Sequence, residues 1–264
     1  MDDFLRVCEQ AARIGGAILQ EWVHRITVRE KGPKDLVTEA DFASQHAIQQ
    51  FVLSAFPDHS FLGEESDAAA KKNGGGRVAG DFCWIVDPLD GTLNYVRGMP
   101  SYAVSVALAR CGEVLAGVVL DPMLDECFAA AKGRGAFLNG RPIQASRCRS
   151  LSDALVAISF SADVPRDSIE VRRFIEALHA AQSVRRTGSA ALNLCYVGSG
   201  RLDAYFASSL KSWDAAAGIL IAGEAGAVIT SITGRGFVLQ QPDLAVAATS
   251  DLHIELMQAL SRAE

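Results

Sequence analysis

Two carboxylates stand three residues apart where an apolar run ends, in the segment WIVDPLDGT at residues 84–92. The run before Asp87 is typical of a buried strand, and a solvated turn acid is not normally preceded by such residues. Asp87 and Asp90 would raise each other's pKa unless a cation offset their charges. Gly91 permits a close backbone approach, and Thr92 begins a short helix whose amides can hold a phosphate. The segment therefore indicates a cation and phosphate site, with a plain Asx turn as the alternative.

The cation that such a site would hold is a hard ion, because all the candidate ligands are oxygens. Mg²⁺ fits best, since it keeps part of its hydration shell and is held by a few carboxylates together with a substrate phosphate. Mn²⁺ could substitute for it. The chain carries a formal net charge of −6, so it would repel an anionic phosphate unless metal cations intervened.

Three further acids stand in similar contexts along the chain. Glu64 follows the apolar residues 61–63 at an expected strand end, and Asp214 stands at the start of an apolar helix. Asp41 lies in the segment DLVTEAD at residues 35–41. Taken singly, Asp214 could be only a helix N-cap, and Asp41 could be only a first-turn acid that interacts with the helix dipole.

The elements that must position these acids follow an α+β order in the first half of the chain. Apolar residues at helical spacing predict an amphipathic helix over residues 4–22, and a second helix is expected at residues 39–55 with Thr38 as its N-cap. A charged segment at residues 28–34 separates the two helices. Strands are then expected at residues 61–63, 82–86, 102–108, 114–120, 128–130 and 136–138. The strand that precedes Asp87 is expected to end there.

The second half of the chain alternates between strands and helices, which is a βα pattern. Strands are expected at residues 155–159, 204–206, 227–230 and 244–248, and helices at residues 168–181, 189–197, 214–225 and 252–260. A Gly-rich segment at residues 67–80 is expected to be a solvated loop. Because no linker is long enough to separate domains, residues 1–264 are expected to form one unit whose halves, 1–145 and 146–264, share the active site.

Composition and charge exclude several classes of protein. Hydrophobic residues make up 49% of the chain, enough for a substantial core, yet no apolar run reaches the roughly 20 residues of a membrane span. The acidic start, Met1-Asp2-Asp3, is unlike a signal peptide, and we expect a cytoplasmic protein. There is no basic stripe for nucleic acid and no G-x-G-x-x-G after a strand, which argues against a nucleic-acid binder and a Rossmann-type nucleotide binder.

Four motifs, taken together, resemble the inositol monophosphatase family. They are GEES at residues 63–66, DPLDGT at 87–92, WDAAAG at 213–218 and DLVT at 35–38 with Asp41, and they occur in the family's order over most of the chain. The resemblance implies a lithium-sensitive, Mg²⁺-dependent phosphomonoesterase that uses two or three ions and is commonly a homodimer. It also implies a layered αβαβα fold, with an antiparallel sheet in the first half and a smaller mixed sheet with helices in the second.

The same resemblance implies a role for each matching residue. The metal ligands would be Glu64, Asp87, the carbonyl oxygen of Leu89, Asp90 and Asp214. Glu65 would support the site without holding the metal. Thr92 and Asp41 would orient and deprotonate the attacking water, and the amides of Gly91 and Thr92 would hold the phosphate. The remaining substrate contacts would come from Asp90, Gly188, Ser189, Ala190 and Asp214.

One position departs from the family pattern. Seven residues before Asp214, many inositol-hydrolysing relatives carry a glutamate that hydrogen-bonds the polyol ring, and Ala207 stands there in this chain. A methyl group accepts no hydrogen bond, so a site built on that contact loses discrimination. The neighbouring Lys211 and Ser212 could supply other polar contacts.

Several substrates and one non-catalytic role therefore remain open. Inositol 1-phosphate is the first candidate substrate. The alternatives are fructose 1,6-bisphosphate, histidinol phosphate, a nucleotide 3′-phosphate and NADP. A regulatory protein that keeps the fold without the activity is a further alternative.

Overall fold

The structure is a computed structural model that describes residues 2–23, 25, 27–32, 35–66 and 81–264. The segment at residues 67–80, for which a solvated loop is expected, lies outside these residues. None of the helices within the described ranges combines the length and the apolar character that crossing a bilayer demands.

Two long helices precede the first sheet and confirm the predictions from helical spacing. α1 spans Asp2–Trp22, and α2 spans Glu39–Ala55 with Thr38 as its N-cap. Between them, β1 (Val28–Gly32) and β2 (Asp35–Thr38) form an antiparallel pair. The sequence predicted only a charged segment there, because the exposed polar residues of β1 lack the alternation of apolar and polar residues that marks a strand.

The first sheet contains seven strands among the described residues. They are β3 (Ser60–Gly63), β4 (Phe82–Asp90), β5 (Ala103–Arg110), β6 (Glu113–Asp121), β7 (Glu126–Ala131), β8 (Ala136–Leu138) and β9 (Arg141–Ile143). They pair in chain order. β3 runs parallel to β4, whereas all other neighbours are antiparallel, so the expected antiparallel sheet contains one parallel pair.

β4 does not end at Asp87 as predicted but continues to Asp90. Its pairing with β5 is irregular between these two residues, where Pro88 lacks the amide hydrogen that a ladder needs. The backbone of β4 therefore stays extended from Asp87 to Asp90, although its pairing with β5 is irregular there. Gly91 follows in the left-handed conformation, with φ of 95°, and caps the short helix α3 (Thr92–Val96).

The second sheet is smaller and mixed, as expected. Its strands are β10 (Leu155–Ser159), β11 (Ser183–Arg185), β12 (Ala204–Ala207), β13 (Val228–Thr230) and β14 (Leu244–Ala247), in the order β11-β10-β12-β14-β13. β10 is parallel to both β11 and β12, and β14 is antiparallel to its two neighbours. Its helices are α4 (Ile169–Ala180), α5 (Ala190–Gly198), α6 (Ser212–Glu224) and α7 (Ser250–Ser261).

The elements stack in five layers, and the layered αβαβα fold implied by the resemblance is confirmed. α1 and α2 pack on one face of the first sheet, and α5 and α6 pack on the other. α5 and α6 also pack against the second sheet, whose far face is covered by α4 and α7. The central helices fit between two sheets because the facing residues are small. A Cβ on Gly117 of β6 would lie 2.9 Å from the Cα of Ala217 in α6.

Candidate active site

Parallel pairing of β3 with β4 brings Glu64 beside Asp87. Gly63 pairs with Val86, and the amide of Glu64 extends this ladder by donating to the carbonyl oxygen of Val86 at 3.1 Å. Because the carboxyl ends of parallel strands lie at one edge of a sheet, the side chains that follow them emerge together. The structure therefore brings these two predicted ligands to the same edge.

α6 delivers Asp214 to that edge. Asp87 pairs with Ser105 across β5, and the hydroxyl of Ser105 donates to the carbonyl oxygen of Trp213 at 3.3 Å. Asp214 is the third residue of α6, and its carboxylate accepts a hydrogen bond from the amide of Lys211 at 2.7 Å. It therefore caps the helix from within the first turn rather than as the N-cap residue itself.

Asp90 is held by the start of α5. Its carboxylate accepts hydrogen bonds from the hydroxyl of Ser189 at 2.5 Å, from the amide of Ala191 at 2.8 Å and from the amide of Ala190 at 3.3 Å. Ser189 is fully buried, so this predicted substrate residue lies behind Asp90 and fixes its carboxylate. Gly188 and Ala190, on either side of it, line the cavity that follows.

A cavity of about 180 Å³ collects most of the predicted residues. We refer to Glu64, Asp87, Asp90 and Asp214 as the acidic wall. The cavity is lined by the acidic wall together with Leu89, Gly91, Thr92, Ser159, Phe160, Arg186, Gly188, Ala190, Ser209 and Leu210. Acids that are up to 150 positions apart along the chain, from Glu64 to Asp214, thus face one space.

The acidic wall is electrostatically unfavourable by itself. Burial, followed by the charges of Glu64, Asp90 and Asp214, raises the pKa of Asp87 well above its usual range. Burial and the charges of Asp90 and Glu64 do the same to the pKa of Asp214. Burial also raises the pKa of Asp90 to about 6, although the hydrogen bonds from α5 oppose the rise. Carboxylates that raise one another's pKa in this way need positive charge nearby to stay ionised.

One lysine supplies part of that charge. The ammonium group of Lys31, on β1, lies 3.0 Å from a carboxylate oxygen of Glu64 and also contacts Glu65. Burial lowers the pKa of Lys31, but its two acidic partners raise it overall. Burial and the charge of Glu64 raise the pKa of Glu65 to about 7. Glu65 thus pairs with Lys31 instead of facing the cavity, in keeping with the supporting role expected for it.

The acidic wall fits a hard divalent cation in its chemistry and charge. All its donors are oxygens, they face one cavity, and burial leaves their charges poorly solvated. In the described part of the chain, no three histidine, cysteine, aspartate or glutamate side chains are placed to hold one metal ion between them as they stand, so the fit lies in the chemistry and charge of the donors and not in their spacing. Backbone amides and the Ser189 hydroxyl hold Asp87, Asp90 and Asp214 in place.

Asp41 reaches the cavity through Thr92. The hydroxyl of Thr92 lies 3.3 Å from one carboxylate oxygen of Asp41 and 3.2 Å from the carbonyl oxygen of Leu89. The other carboxylate oxygen of Asp41 accepts hydrogen bonds from the amide and hydroxyl of Thr38, which closes the capping box of α2. Burial raises the pKa of Asp41 to about 6. Asp41 can therefore take up a proton close to neutral pH.

Five lining residues were not predicted from the sequence, namely Ser159, Phe160, Arg186, Ser209 and Leu210. They follow or end the strands of the second sheet. Arg186 was missed because β11, which has a single apolar residue, was not predicted. The sequence suggested Lys211 and Ser212 as sources of polar contacts with the substrate. The cavity is instead lined by the two residues before them, Ser209 and Leu210. The hydroxyl of Ser212 instead donates to the carbonyl oxygen of Leu239.

Known proteins resemble this chain along almost its whole length. The family model described as "Inositol monophosphatase family" matches residues 1–264. "Nus factor SuhB" of Pseudomonas aeruginosa is 37% identical over 255 residues, covering 94% of this chain and 93% of that protein. "Fructose-1,6-bisphosphatase/inositol-1-monophosphatase" of Aquifex aeolicus is 36% identical over 263 residues, covering 98% and 96%. The crystal structure of extragenic suppressor protein suhB from Bartonella henselae aligns with a TM-score of 0.90 and 34% identity, over 98% of this chain and 99% of that one.

Proposed function

Because the chain belongs to the inositol monophosphatase family, we propose that it hydrolyses a small phosphate monoester in a Mg²⁺-dependent reaction. The observation that carries the proposal is the acidic wall. Four carboxylates face one cavity, one directly after β3, two on β4 and one on α6, and burial together with the neighbouring acidic charges raises the pKa of Asp87 and Asp214. An acidic cavity of this kind takes an anionic phosphate only when cations intervene.

Glu64, Asp87, Asp90, Asp214 and the carbonyl oxygen of Leu89 would hold Mg²⁺, and Mn²⁺ could replace it. When bound, Mg²⁺ would act as a Lewis acid that offsets the charge of the phosphate and of the attacking and leaving oxygens. Two ions would suit an in-line displacement at the phosphorus. The family resemblance implies that two or three ions bind. The protein already presents the four side-chain carboxylates to one space.

The chain's own residues would position and deprotonate the water. The hydroxyl of Thr92 lines the cavity and can hydrogen-bond a water, while passing a proton on to Asp41. Asp41 suits this role because it is fully buried and its pKa lies at about 6. Gly91 and Thr92 both line the cavity, so their amides would be available to a bound phosphate. Phosphoryl transfer depends mainly on positioning and charge stabilisation, so no protein nucleophile is needed.

Inositol 1-phosphate is the first candidate substrate, in keeping with the family and with part of the name of the Aquifex relative. The residue at position 207 supports a wider range of candidate substrates. Ala207 ends β12 as a buried methyl group, so the hydrogen bond of the polyol-binding glutamate has no counterpart at this position. We propose that both halves of the chain form this single phosphatase unit, since residues from 1–145 and 146–264 line the cavity.

The test is the variant Asp87→Asn, assayed with Mg²⁺ on inositol 1-phosphate, fructose 1,6-bisphosphate, histidinol phosphate, a nucleotide 3′-phosphate and NADP. Wild type should hydrolyse at least one ester only when Mg²⁺ is present, and Asp87→Asn should lose turnover on all of them. Asp58→Asn is the matched control, because Asp58 is an exposed acid after α2. Wild-type turnover in Asp87→Asn would contradict the metal site. No turnover of any ester by wild type would favour a regulatory role.

A further inference from the structure

The wall opposite the acids is built by the second sheet. β11, β10 and β12 are parallel, so their carboxyl ends meet at one edge. Ser159 ends β10, Arg186 directly follows β11, and Ser209 stands two residues after β12, and all three line the cavity. Ligands bind outside the carboxyl ends of parallel strands because these ends place several loops side by side. This second wall is thus positioned to contact the part of a substrate that lies away from the acidic wall.

Arg186 brings a positive charge to the second wall that the rest of the described chain does not neutralise. It is the one basic side chain among the lining residues that the structure describes. Within that part of the chain, no protein group forms a hydrogen bond or ion pair with its guanidinium, and none of the four acids pairs with it. Its neighbour Arg185 differs, since that guanidinium donates to Ser183 and to the carbonyl oxygen of Val184.

The serines of the second wall are oriented by buried partners. The hydroxyl of Tyr205 donates to the oxygen of Ser159 at 2.8 Å, which leaves the proton of Ser159 available to donate into the cavity. The hydroxyl of Ser209 donates to Glu170 at 2.5 Å, and Glu170 also accepts from Ser161 at 2.8 Å. Glu170 is buried, so the hydrogen bonds that it accepts from Ser209 and Ser161 are shielded from water. The second wall thus offers two hydrogen-bond donors, Arg186 and Ser159, whereas the polyol-binding glutamate of many relatives offers an acceptor.

We propose that Arg186 is a specificity-determining residue that binds a second anionic group of the substrate, a phosphate or a carboxylate. The inference rests on the proposed function, because the scissile phosphate is assigned to the acidic wall. The planar guanidinium suits either anion, since its paired N–H groups match two oxygens of one group. An arginine that bound the scissile phosphate would have to lie among the carboxylates of the acidic wall. Arg186 forms an ion pair with none of these carboxylates.

Two pairs of esters, each differing in one anionic group, test this inference. The phosphate pair is fructose 1,6-bisphosphate and fructose 1-phosphate, and the carboxylate pair is 6-phosphogluconate and glucose 6-phosphate. Wild type should prefer the doubly anionic member of one pair by about ten- to hundredfold in kcat/KM, the effect of one charged hydrogen-bonding contact. The pair that shows the preference identifies which anion is bound.

Arg186→Gln should abolish this preference, mainly by raising KM for the doubly anionic ester, while kcat/KM for its singly anionic partner stays within about threefold. Arg186→Lys should restore part of the preference, because it keeps the charge but not the planar fork. Arg185→Gln is the matched control and should behave as wild type, since Arg185 does not line the cavity.

Three outcomes would overturn the inference without touching the proposed function. They are equal losses for both members of the pair in Arg186→Gln, the same loss in Arg185→Gln, and no preference in wild type for either second anion. If wild type hydrolyses no ester at all, the proposed function fails instead. Calorimetric binding of fructose 1,6-bisphosphate and fructose 1-phosphate to wild type and Arg186→Gln then decides the inference separately, since tighter binding of the bisphosphate that depends on Arg186 would still support it.

Discussion

At the scale of single residues, one hydroxyl separates Asp41 from the cavity. Thr92 lines the cavity and Asp41 lies behind it, 3.3 Å from the hydroxyl. Asp41→Asn keeps the size of the side chain but removes its ability to take a proton. We expect kcat to fall about 10²- to 10⁴-fold with little change in KM, as for the loss of a general base. Steady-state kinetics on the best ester from the panel provide the measurement.

The control for Asp41→Asn is Glu39→Gln in the same first turn of α2. The carboxylate of Glu39 accepts a hydrogen bond from the amide of Thr27 and does not line the cavity. Its kcat should stay within about twofold of wild type, since most surface changes away from a site are small. Equal losses in the two variants would mean that Asp41 acts only through the fold of α2.

His253 predicts how stability changes with pH. It lies on α7 with its ring nitrogen 3.0 Å from the hydroxyl of Thr230, and burial lowers its pKa. Below about pH 6.5, the unfolded chain binds a proton at this histidine more readily than the folded protein does. The free energy of unfolding should therefore fall as the pH drops through this range, and His253→Gln should reduce that fall.

Urea unfolding at pH 7.5 and pH 5.5 measures the effect as a difference between variant and wild type. That difference removes the contribution of other groups that titrate over the same range. His46→Gln, on the exposed side of α2, is the control and should show the wild-type pH dependence. A His253→Gln variant that loses as much stability as wild type between the two pH values would contradict the prediction.

At the scale of elements, the contact between β6 and α6 links packing to the site. A Cβ on Gly117 would lie 2.9 Å from the Cα of Ala217, three residues after Asp214. Gly117→Ala must therefore push α6 away from the sheet. We expect a loss of about 1–3 kcal/mol in the free energy of unfolding, as for other overpacked cores. We also expect lower kcat/KM, because α6 carries Asp214.

Gly236→Ala is the control for this contact, since no other atom lies within 4 Å of the Cβ it would add. Urea unfolding and kinetics should show little change in that variant. If Gly117→Ala lost stability but kept full activity, the position of α6 would not control the acidic wall.

Local signals in the sequence predicted most elements and failed where a strand has few apolar residues. The bounds of α2 were predicted fully because Thr38 gives it a capped start and Pro57 follows its end. β10 was likewise correct, since its apolar residues are buried and continuous. β9 and β11 were missed because each has only one or two apolar residues beside polar ones, whereas the equally short β8 and β13 are mainly apolar. The motifs predicted the acids that the structure brings to one cavity, whereas Arg186 follows an unpredicted strand and belongs to no motif.

At the scale of the whole molecule, the proposed ion would join the two halves of the chain. Glu64, Asp87 and Asp90 come from the first half and Asp214 from the second. An ion that binds only the folded protein stabilises it by about 2.7 kcal/mol at 100 times its Kd. We expect Mg²⁺ to raise the Tm by roughly 5 °C or more relative to EDTA.

Thermal unfolding monitored by circular dichroism checks this expectation. Asp214→Asn should fold but lose most of the response to Mg²⁺, whereas Asp58→Asn should keep it. An unchanged Tm for wild type at millimolar Mg²⁺ would contradict a metal site that bridges the halves, whatever the enzymatic activity.

We also propose that the chain forms a homodimer, as the family resemblance implies. Light scattering on the purified protein should then give twice the chain mass of 28.1 kDa. A mass of one chain across a range of protein concentrations would contradict this proposal.

The two walls of the cavity are carried by different elements, the acidic wall by the first sheet and α6 and the second wall by the second sheet, and this separation bears on how the range of substrates could change. Among the described residues, Ser159, Arg186 and Ser209 make no hydrogen bond to the acidic wall, so they can be exchanged without disturbing β4, which carries Asp87 and Asp90, or Glu64 after β3. Mutations at these three positions would therefore change which ester is bound and leave the acidic wall in place. Directed evolution of new substrates should accordingly begin at Arg186, Ser159 and Ser209.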